Sequence, residues 1–201
     1  MRLTGWETRV VSVDVDERPD PGESARALAS RLAQAKANRA AQAKHAGVLL
    51  AADTIVVDEG RLLGKPQDEQ HALRMLEALR GRTHSVVTAL AIVDPASEGP
   101  RIDVCETAVP MRPYALKELR AYVSSGRAFD KAGGYGIQDE DFRPVDSHRM
   151  RGCFANVMGL PLCHLVRAMR SLGYQAPNDV PEACEAYTGY ACPVYAEILR
   201  A

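Results

Sequence analysis

The chain has 201 residues, a length typical of one compact domain with room for a short appendage. Its hydrophobic fraction of 46% and charged fraction of 25% are those of an ordinary globular protein, which argues against a disordered, collagen-like or coiled-coil chain. With 25 basic and 26 acidic residues the formal net charge is −1, so the chain as a whole does not attract nucleic acid or an anionic membrane. An anionic ligand must therefore be bound by a local cluster of cations.

The chain carries none of the segments that direct a protein to or across a membrane. No apolar run approaches the roughly 20 residues of a spanning helix, and the first residues lack the basic flank and apolar stretch of a secretory signal. We therefore predict a cytoplasmic protein without a membrane partner. The cysteines are odd in number and scattered without a C-x-x-C pair, which predicts reduced thiols. Only Cys184 and Cys192 are close enough in sequence to suggest a metal site or a disulfide.

The first half of the chain alternates predicted strands and helices. Residues 7–15 alternate as in a strand and lead into an acidic, proline-containing loop. Ser24 is placed to cap a helix that runs to about His45. Two short apolar strands, 48–52 and 55–57, flank Asp53 and Thr54, and the turn 58–61 predicts a hairpin back along them.

The second half continues the mixed order of helices and strands, which predicts an α/β fold with a mixed twisted sheet flanked by helices. Helices are predicted over 68–79, 115–124 and 161–172, and strands over 84–93 and 101–110. Three glycines between 133 and 136 let the backbone approach a ligand or a partner strand. Residues 176–201 are acidic and predict a tail or a docking helix.

Charged residues stand where core packing does not require them. Lysines 36, 65 and 131 and the acids Glu17 and Asp53 suit a polyphosphate site, because cations offset the ligand's charge and carboxylates hold Mg²⁺. Asp53 ends an apolar strand, where a lost hydration shell must be replaced by a metal, a cation or hydrogen bonds. The alternatives are ordinary ones: Asp53 caps a turn, and the other four are solvated surface charges.

Six ordered blocks of the sequence resemble the Maf family of nucleoside triphosphate pyrophosphatases. The blocks cover roughly residues 10 to 172 and are Val15-Asp16-Glu17, 31–37, 51–57, 63–66, 130–138 and 156–162.

The resemblance implies a fold related to the inosine triphosphate pyrophosphatases and a cleft that hydrolyses a nucleoside triphosphate to the monophosphate and pyrophosphate with Mg²⁺ or Mn²⁺. It also implies a homodimer. The family's proton-accepting aspartate falls on Asp53, which is alternatively a metal ligand, and its acidic metal-site residue falls on Glu17. Its triphosphate-binding lysines fall on Lys36, Lys65 and Lys131.

Two residues suggest the substrate class. Asp-Thr at 53–54 and Tyr-Gly-Ile-Gln at 135–138 are similar to the branch of the family that acts on dTTP and UTP. Thr54 and Gln138 therefore point to a pyrimidine, and the Gln138 carboxamide both donates and accepts hydrogen bonds as a uracil or thymine edge requires.

The sequence also departs from the family pattern. The family opens with a phosphate-binding loop of the form Leu-Ala-Ser-x-Ser-Pro-Arg-Arg, and this chain begins after that point, which suggests a start codon assigned too far downstream. Ser125-Gly126-Arg127 replaces a Gly-Glu pair, and Asp139 follows Gln138 where a glycine is usual. We expect a Maf-like domain over 1–175, without its first strand and loop, and a C-terminal extension over 176–201.

Three functions remain open at this stage. The leading one is a pyrophosphatase for dTTP, UTP or modified pyrimidine nucleotides. The alternatives are a catalytically impaired nucleotide-binding or regulatory protein of the same fold, and a 7-methyl-GTP-type pyrophosphatase. Nucleic-acid binding fits poorly with the net charge of −1 and the aromatic fraction of 5%.

Overall fold

The computed structural model describes residues 1–43 and 47–200. Its elements are four strands, seven α-helices and two short 3₁₀ turns at Arg2–Thr4 and Ala132–Gly134. The strands are β1 (Leu49–Asp58), β2 (Arg61–Leu63), β3 (Thr83–Val93) and β4 (Arg101–Pro110). The helices are α1 (Ala25–Gln42), α2 (Glu69–Leu79), α3 (Leu116–Ser124), α4 (Phe154–Val157), α5 (Leu162–Ser171), α6 (Val180–Thr188) and α7 (Tyr195–Arg200).

The strands form one sheet in the order β2-β1-β3-β4, and every neighbouring pair is antiparallel. Glu59 and Gly60 join β1 to β2 with φ angles of 49° and 79°, the backbone that a tight hairpin turn requires. The predicted strands 48–52 and 55–57 are one continuous strand, and Asp53 lies in its middle. The predicted α/β fold, with helices flanking the sheet, is confirmed.

Helices cover both faces of the sheet. On one face, alanines of α1 pack against the side chains of alternate residues of β3 and against Ala51 and Ile55 of β1. On the other face, Val56 belongs to a larger core that α2 and α3 complete, while Leu50 and Ala52 contact the apolar cluster of α5. Successive side chains of β1 therefore alternate between two separate cores.

Residues 7–15 are extended but form no strand, so that prediction is wrong. A β-strand needs a neighbouring strand to take up its backbone hydrogen bonds, and none lies beside this segment within the described part of the chain. Val10 is 94% exposed, while Val11, Val13 and Val15 are only half-buried. Alternating valines indicate a strand without showing where its partner lies.

The predicted N-cap at Ser24 is confirmed, and the structure adds a second N-cap at Asp68. The Ser24 side chain accepts a hydrogen bond from the backbone N–H of Ala27 at 3.2 Å, and Asp68 accepts one from His71 at 2.7 Å. α1 ends at Gln42, and the predicted end at His45 lies outside the described residues.

Within the described part of the predicted extension 176–201, residues 176–200 pack against the rest of the domain and contain α6 and α7. The guanidinium of Arg167 donates to the Ile198 carbonyl at 3.4 Å, and the Tyr190 hydroxyl donates to the Met150 carbonyl at 3.0 Å. The ring of Tyr190 lies 5.5 Å from that of Phe154 in α4. Helices of the described ranges are all too short or too polar to cross a membrane.

A glycine lets α4 approach β4 closely, and this contact yields the first prediction. A Cβ at Gly152 would lie 2.6 Å from Thr107 Cγ2, so Gly152→Ala should destabilise the fold by about 1–3 kcal/mol through overpacking. The matched control is Gly64→Ala, where a Cβ meets nothing within 4 Å and φ is not positive. Urea unfolding measures both variants, and equal free energies of unfolding would contradict the packing described.

Candidate functional site

A buried carboxylate and a lysine form the centre of the candidate site. Asp53 lies on the face of β1 that α1 covers, and its side chain is 9% exposed. Lys36, in the second half of α1, donates from Nζ to Asp53 Oδ1 at 2.6 Å, and its own side chain is 22% exposed. The sequence predicts that a metal, a cation or hydrogen bonds must replace the hydration that Asp53 loses in its apolar strand. In the structure a cation from the neighbouring helix replaces it.

A second carboxylate meets the same lysine. Glu17 Oε1 lies 2.6 Å from Lys36 Nζ, and its side chain is 59% exposed. The loop before α1 thus brings Glu17 over the edge of the site, while β1 supplies Asp53 from within it. Three of the residues predicted from the sequence are joined in one cluster, which we call the acid–lysine cluster (Glu17, Lys36 and Asp53).

Burial and pairing act against each other on these groups. Burial raises the pKa of Asp53, and the hydrogen bond and charge of Lys36 offset that rise only in part. For Lys36, burial lowers the pKa, but its hydrogen bonds to Asp53 and Glu17 outweigh burial and leave the pKa raised. The lysine is therefore a fixed cation, and the carboxyl of Asp53 takes up a proton more readily than an exposed aspartate.

The acid–lysine cluster fits a divalent cation that is shared with a substrate. Glu17 and Asp53 offer oxygen ligands that meet at a position now taken by an ammonium, and Mg²⁺ is commonly held by one or two carboxylates together with substrate phosphates and water. Across residues 1–43 and 47–200, no group of three or more His, Cys, Asp or Glu side chains is arranged to hold a metal ion alone. The two carboxylates therefore supply part of the oxygen ligands that a divalent cation bound together with phosphate takes.

Thr54 lies on the opposite face of the sheet from Asp53, because neighbouring residues of a strand alternate. Its hydroxyl lies 2.9 Å from that of Thr88 on β3, which in turn donates to the Asn156 carbonyl at 3.2 Å. The Asn156 amide donates to the Val86 carbonyl at 2.9 Å and to the Thr107 hydroxyl at 3.0 Å. Thr54 thus belongs to an internal polar network.

Lys65 and Lys131 lie on two loops that are joined to each other. The backbone N–H of Gly133 donates to the Gly64 carbonyl at 3.1 Å, which ties the glycine-rich loop to the turn that follows β2. Gly133 has φ 75°, and a Cβ there would lie 3.1 Å from Val56 Cγ1. The glycine therefore permits a close approach to the sheet, as the predicted role of this loop requires.

Charged partners orient Lys131. Its Nζ donates to Asp130 Oδ1 and to the Arg127 carbonyl, each at 2.7 Å, and lies 3.8 Å from Asp139 Oδ2. Asp139 in turn accepts a hydrogen bond of 2.5 Å from the Tyr122 hydroxyl.

The other two residues of this group are open to solvent, since Lys65 and Gln138 are both exposed. A flexible exposed lysine and an exposed carboxamide are free to turn toward a ligand.

The predicted site residues thus fall into two groups. The acid–lysine cluster lies under α1, and the loops of Lys65, Lys131 and Gln138 lie beyond β2. No hydrogen bond or ion pair within the described ranges joins the two groups. β1 connects them, because its residues lead from Asp53 directly to the hairpin whose second strand ends one residue before Gly64.

The residues that support the site are not predicted from the sequence. Thr88, Thr107 and Tyr122 support Thr54 and Lys131 from behind, and none of them stands in a pattern that distinguishes it from an ordinary strand or helix residue. Asn156 stands in one of the six blocks, which is the only sequence signal that marks it, and the structure shows its side chain to be fully buried.

An α/β domain in which a buried carboxylate meets one lysine, with two further lysines on the loops beyond β2, has the charges that a protein acting on phosphate esters requires. Comparison with known protein families identifies the family to which the chain belongs. The family model described as Maf-like protein matches residues 1–172, and the chain belongs to the Maf family.

Three relatives of similar length carry the same name. A protein of Dehalococcoides mccartyi called dTTP/UTP pyrophosphatase is 37% identical over 174 residues, which cover 87% of this chain and 77% of that protein. Proteins of the same name from Geobacter sp. strain M21 and Syntrophomonas wolfei are 41% and 44% identical. Their alignments cover 86% and 79% of this chain and 89% and 82% of the relatives.

The ion pair beneath α1 yields a second prediction. Lys36→Met leaves Asp53 buried without its cation, and we expect a loss of about 1–2 kcal/mol in the free energy of unfolding at pH 7. Because the folded-state pKa of Asp53 is raised, the carboxyl becomes protonated as the pH falls and no longer needs the lysine. The loss should therefore shrink toward pH 4.

The matched control is Lys117→Met, which removes an exposed lysine from α3. Urea unfolding of both variants at pH 7 and pH 4 makes the comparison. A loss for Lys36→Met that equals the control's, or that grows as the pH falls, would contradict the buried pair.

Proposed function

We propose that this protein hydrolyses pyrimidine nucleoside triphosphates, dTTP and UTP above all, to the monophosphate and pyrophosphate. One observation carries the proposal: Lys36 is held 2.6 Å from both Asp53 and Glu17, so a cation and two carboxylates meet at one point of the sheet. Membership of the Maf family and the names of the relatives support the same activity.

The lysines account for binding of the triphosphate. Lys36 is fixed by its two carboxylates, whereas Lys65 is exposed and Lys131 is held by loop partners that a phosphate oxygen can replace. Hydrogen bonds from a lysine ammonium to a phosphate are charge-assisted and therefore stronger than neutral ones. One fixed lysine and two lysines that can turn toward the ligand thus suit a triphosphate. As negative charge develops on the leaving pyrophosphate, the same ammonium groups stabilise it.

Asp53 is the proposed acceptor of the proton that the attacking water loses. The raised pKa makes the ionised carboxylate of Asp53 a better proton acceptor than that of an exposed aspartate, and its oxygen lies 2.6 Å from Lys36 Nζ. As general base, Asp53 would take the proton of the attacking water while the new P–O bond forms and the P–O bond to the leaving pyrophosphate breaks. A Mg²⁺ or Mn²⁺ ion held by Glu17 and Asp53 would neutralise phosphate charge when the nucleotide is bound. The alternative role for Asp53 is that of a metal ligand alone.

Gln138 and Thr54 are proposed to select the base. The exposed Gln138 carboxamide matches the donor and acceptor edge of uracil or thymine. Thr54 reaches a substrate only if its hydroxyl exchanges its present bond to Thr88, so its first role is to hold the strand behind Asp53. The homodimer that the resemblance implies stays a prediction.

The activity is tested by pyrophosphate release from a panel of nucleoside triphosphates with Mg²⁺ or Mn²⁺. We expect the highest kcat/KM for dTTP and UTP. Asp53→Asn should lower kcat by about 100-fold or more, in the range of a lost general base, while circular dichroism and Tm show an intact fold.

One control and two outcomes decide the result. The same assay is run on a form that carries the family's Ser-x-Ser-Pro-Arg loop ahead of Met1, because that loop contributes phosphate contacts in the family. Hydrolysis by neither form would overturn the proposed function. Turnover by Asp53→Asn equal to that of the unaltered chain would remove Asp53 from the reaction.

Base selection has its own prediction. Gln138→Glu replaces a donor with an acceptor, and we expect the preference for dTTP and UTP over the other nucleotides to fall by about 10-fold, the equivalent of one hydrogen bond of about 1.4 kcal/mol. The ratio of kcat/KM values measures it. Gln67→Glu, an exposed position before α2, is the control, and an unchanged ratio for Gln138→Glu would exclude this residue from the base pocket.

A further inference from the structure

The loop that carries Lys131 and Gln138 contains a carboxylate to which the proposed reaction gives no role. Asp139 follows Gln138 directly, at a position where the family usually has a glycine. Its side chain is only 13% exposed, whereas the next residue, Glu140, is open to solvent. A carboxylate withdrawn from water in this way needs hydrogen bonds or a cation in place of its hydration.

A tyrosine of α3 holds the Asp139 carboxylate in one place. The Tyr122 hydroxyl donates to Asp139 Oδ2 at 2.5 Å, and the buried Tyr122 ring stacks on Phe142 with 4.5 Å between the ring centroids. On its other side the carboxylate lies against Gly136, where a Cβ would be 2.9 Å from both of its oxygens. The carboxylate therefore does not turn away without losing its hydrogen bond to Tyr122.

The same carboxylate oxygen faces Lys131. Asp139 Oδ2 lies 3.8 Å from Lys131 Nζ, within the range of an ion pair. The ammonium also donates to the Arg127 carbonyl and to Asp130 Oδ1, each at 2.7 Å. The Asp130 side chain is 75% exposed, so water screens its charge, whereas the charge of Asp139 acts from a site that is mostly closed to water.

These unequal partners suit an exchange with a phosphate. An ammonium has three N–H donors, and two of those of Lys131 point to loop acceptors. A phosphate oxygen can accept from the third donor or take the place of the exposed Asp130, while Asp139 stays anchored beside the nitrogen. Because the lysine is already held, less side-chain freedom is lost when the phosphate binds.

We propose that Asp139 is a positioning residue that holds Lys131 toward the phosphates of the bound nucleotide. The inference rests on the proposed function, since it requires Lys131 to bind phosphate. Positioning strengthens nucleotide binding, whereas simple repulsion between the Asp139 carboxylate and a triphosphate would weaken it. The geometry points to positioning, because the carboxylate is paired with a cation and fixed by Tyr122.

Asp139→Asn removes the charge and little else. The backbone N–H of Asp139 donates to the Gly136 carbonyl at 3.2 Å and closes a turn that carries the exposed Gln138. An asparagine keeps this N–H, and its side-chain oxygen still accepts from the Tyr122 hydroxyl. The position of Gln138, and with it the selection of the base, should therefore be retained.

The first measurement is calorimetric binding of α,β-methylene-dTTP with Mg²⁺ to the full-length chain. Asp139→Asn should raise Kd by about 3- to 10-fold, as expected for a partly screened ion pair. Glu140→Gln removes the same charge at the next residue and should not raise Kd. In a chain that also carries Lys131→Met, Asp139→Asn should have no further effect, because the carboxylate acts through the lysine.

Two results of this binding experiment would overturn the proposal. One is an unchanged or lowered Kd for Asp139→Asn, which is the result that repulsion predicts. The other is the full rise in Kd when Lys131 is already methionine. Tyr122→Phe keeps the stacked ring and removes the anchoring hydroxyl, so it should raise Kd in the same direction and serves as the second variant if Asp139→Asn does not fold.

A second readout distinguishes positioning of Lys131 from a general disturbance of the loop. All nucleoside triphosphates share the phosphates that Lys131 would bind, so Asp139→Asn should leave the ratio of kcat/KM for dTTP to that for GTP unchanged. A fall in this ratio, as expected for Gln138→Glu, would show that the turn itself has changed and would contradict the assigned role.

A third measurement needs no nucleotide and so separates this inference from the proposed function. Acetylation by N-hydroxysuccinimidyl acetate, followed by peptide mass spectrometry, should be at least about 3-fold faster at Lys131 in Asp139→Asn, because the ammonium has lost a partner. Acetylation of the exposed Lys65 is the internal control and should not change. Equal rates at Lys131 in the variant and the unaltered chain would overturn the proposal even where hydrolysis is found. If the unaltered chain binds no nucleotide, the proposed function fails, and faster acetylation of Lys131 still supports its pairing with Asp139.

Discussion

The site depends on one contact, the ion pair between Lys36 and Asp53. A carboxylate in the middle of an apolar strand is costly unless its lost hydration is replaced, and α1 replaces it with an ammonium 2.6 Å away. The helix lies close enough because the residues that face the sheet are alanines, among them Ala29, Ala33 and Ala37. Their small side chains allow a short distance between helix and strand, and Lys36 then reaches both Asp53 and the incoming Glu17.

The alternation of β1 explains why the site has a second layer. Asp53 faces α1, so Thr54 faces the core behind the sheet, where its hydroxyl meets Thr88. From there the hydrogen bonds continue through Asn156 to Thr107, which donates to the Cys153 carbonyl at 3.4 Å. The strand that holds the acid is thus bonded, through buried polar groups, to the loop before α4 that carries Cys153.

Local signals in the sequence predict much of this fold. The cap at Ser24 and the turn at Glu59-Gly60 are determined by neighbouring residues, and they are where the sequence places them. Residues 7–15 show the limit of such signals, because a strand is defined by a partner that local pattern does not reveal.

In the candidate site, too, some features follow from neighbouring residues and others depend on distant partners. An acid in an apolar strand and lysines beside glycines or proline are visible as exceptions to core packing, which is how Asp53, Lys65 and Lys131 were predicted. The pairing of Lys36 with Asp53 joins residues 17 positions apart, and the contact of Thr54 with Thr88 joins residues 34 apart. Neither follows from spacing, because each depends on how a helix or a neighbouring strand is placed in three dimensions.

The measurement that tests the central claim most directly is a crystal structure with α,β-methylene-dTTP, whose bridging carbon resists hydrolysis, and Mg²⁺. The account predicts the triphosphate between the acid–lysine cluster and the loops of Lys65 and Lys131, with the metal on Asp53 or Glu17 and the thymine edge at Gln138. A nucleotide bound elsewhere, with Lys36 still joined to both carboxylates, would contradict it.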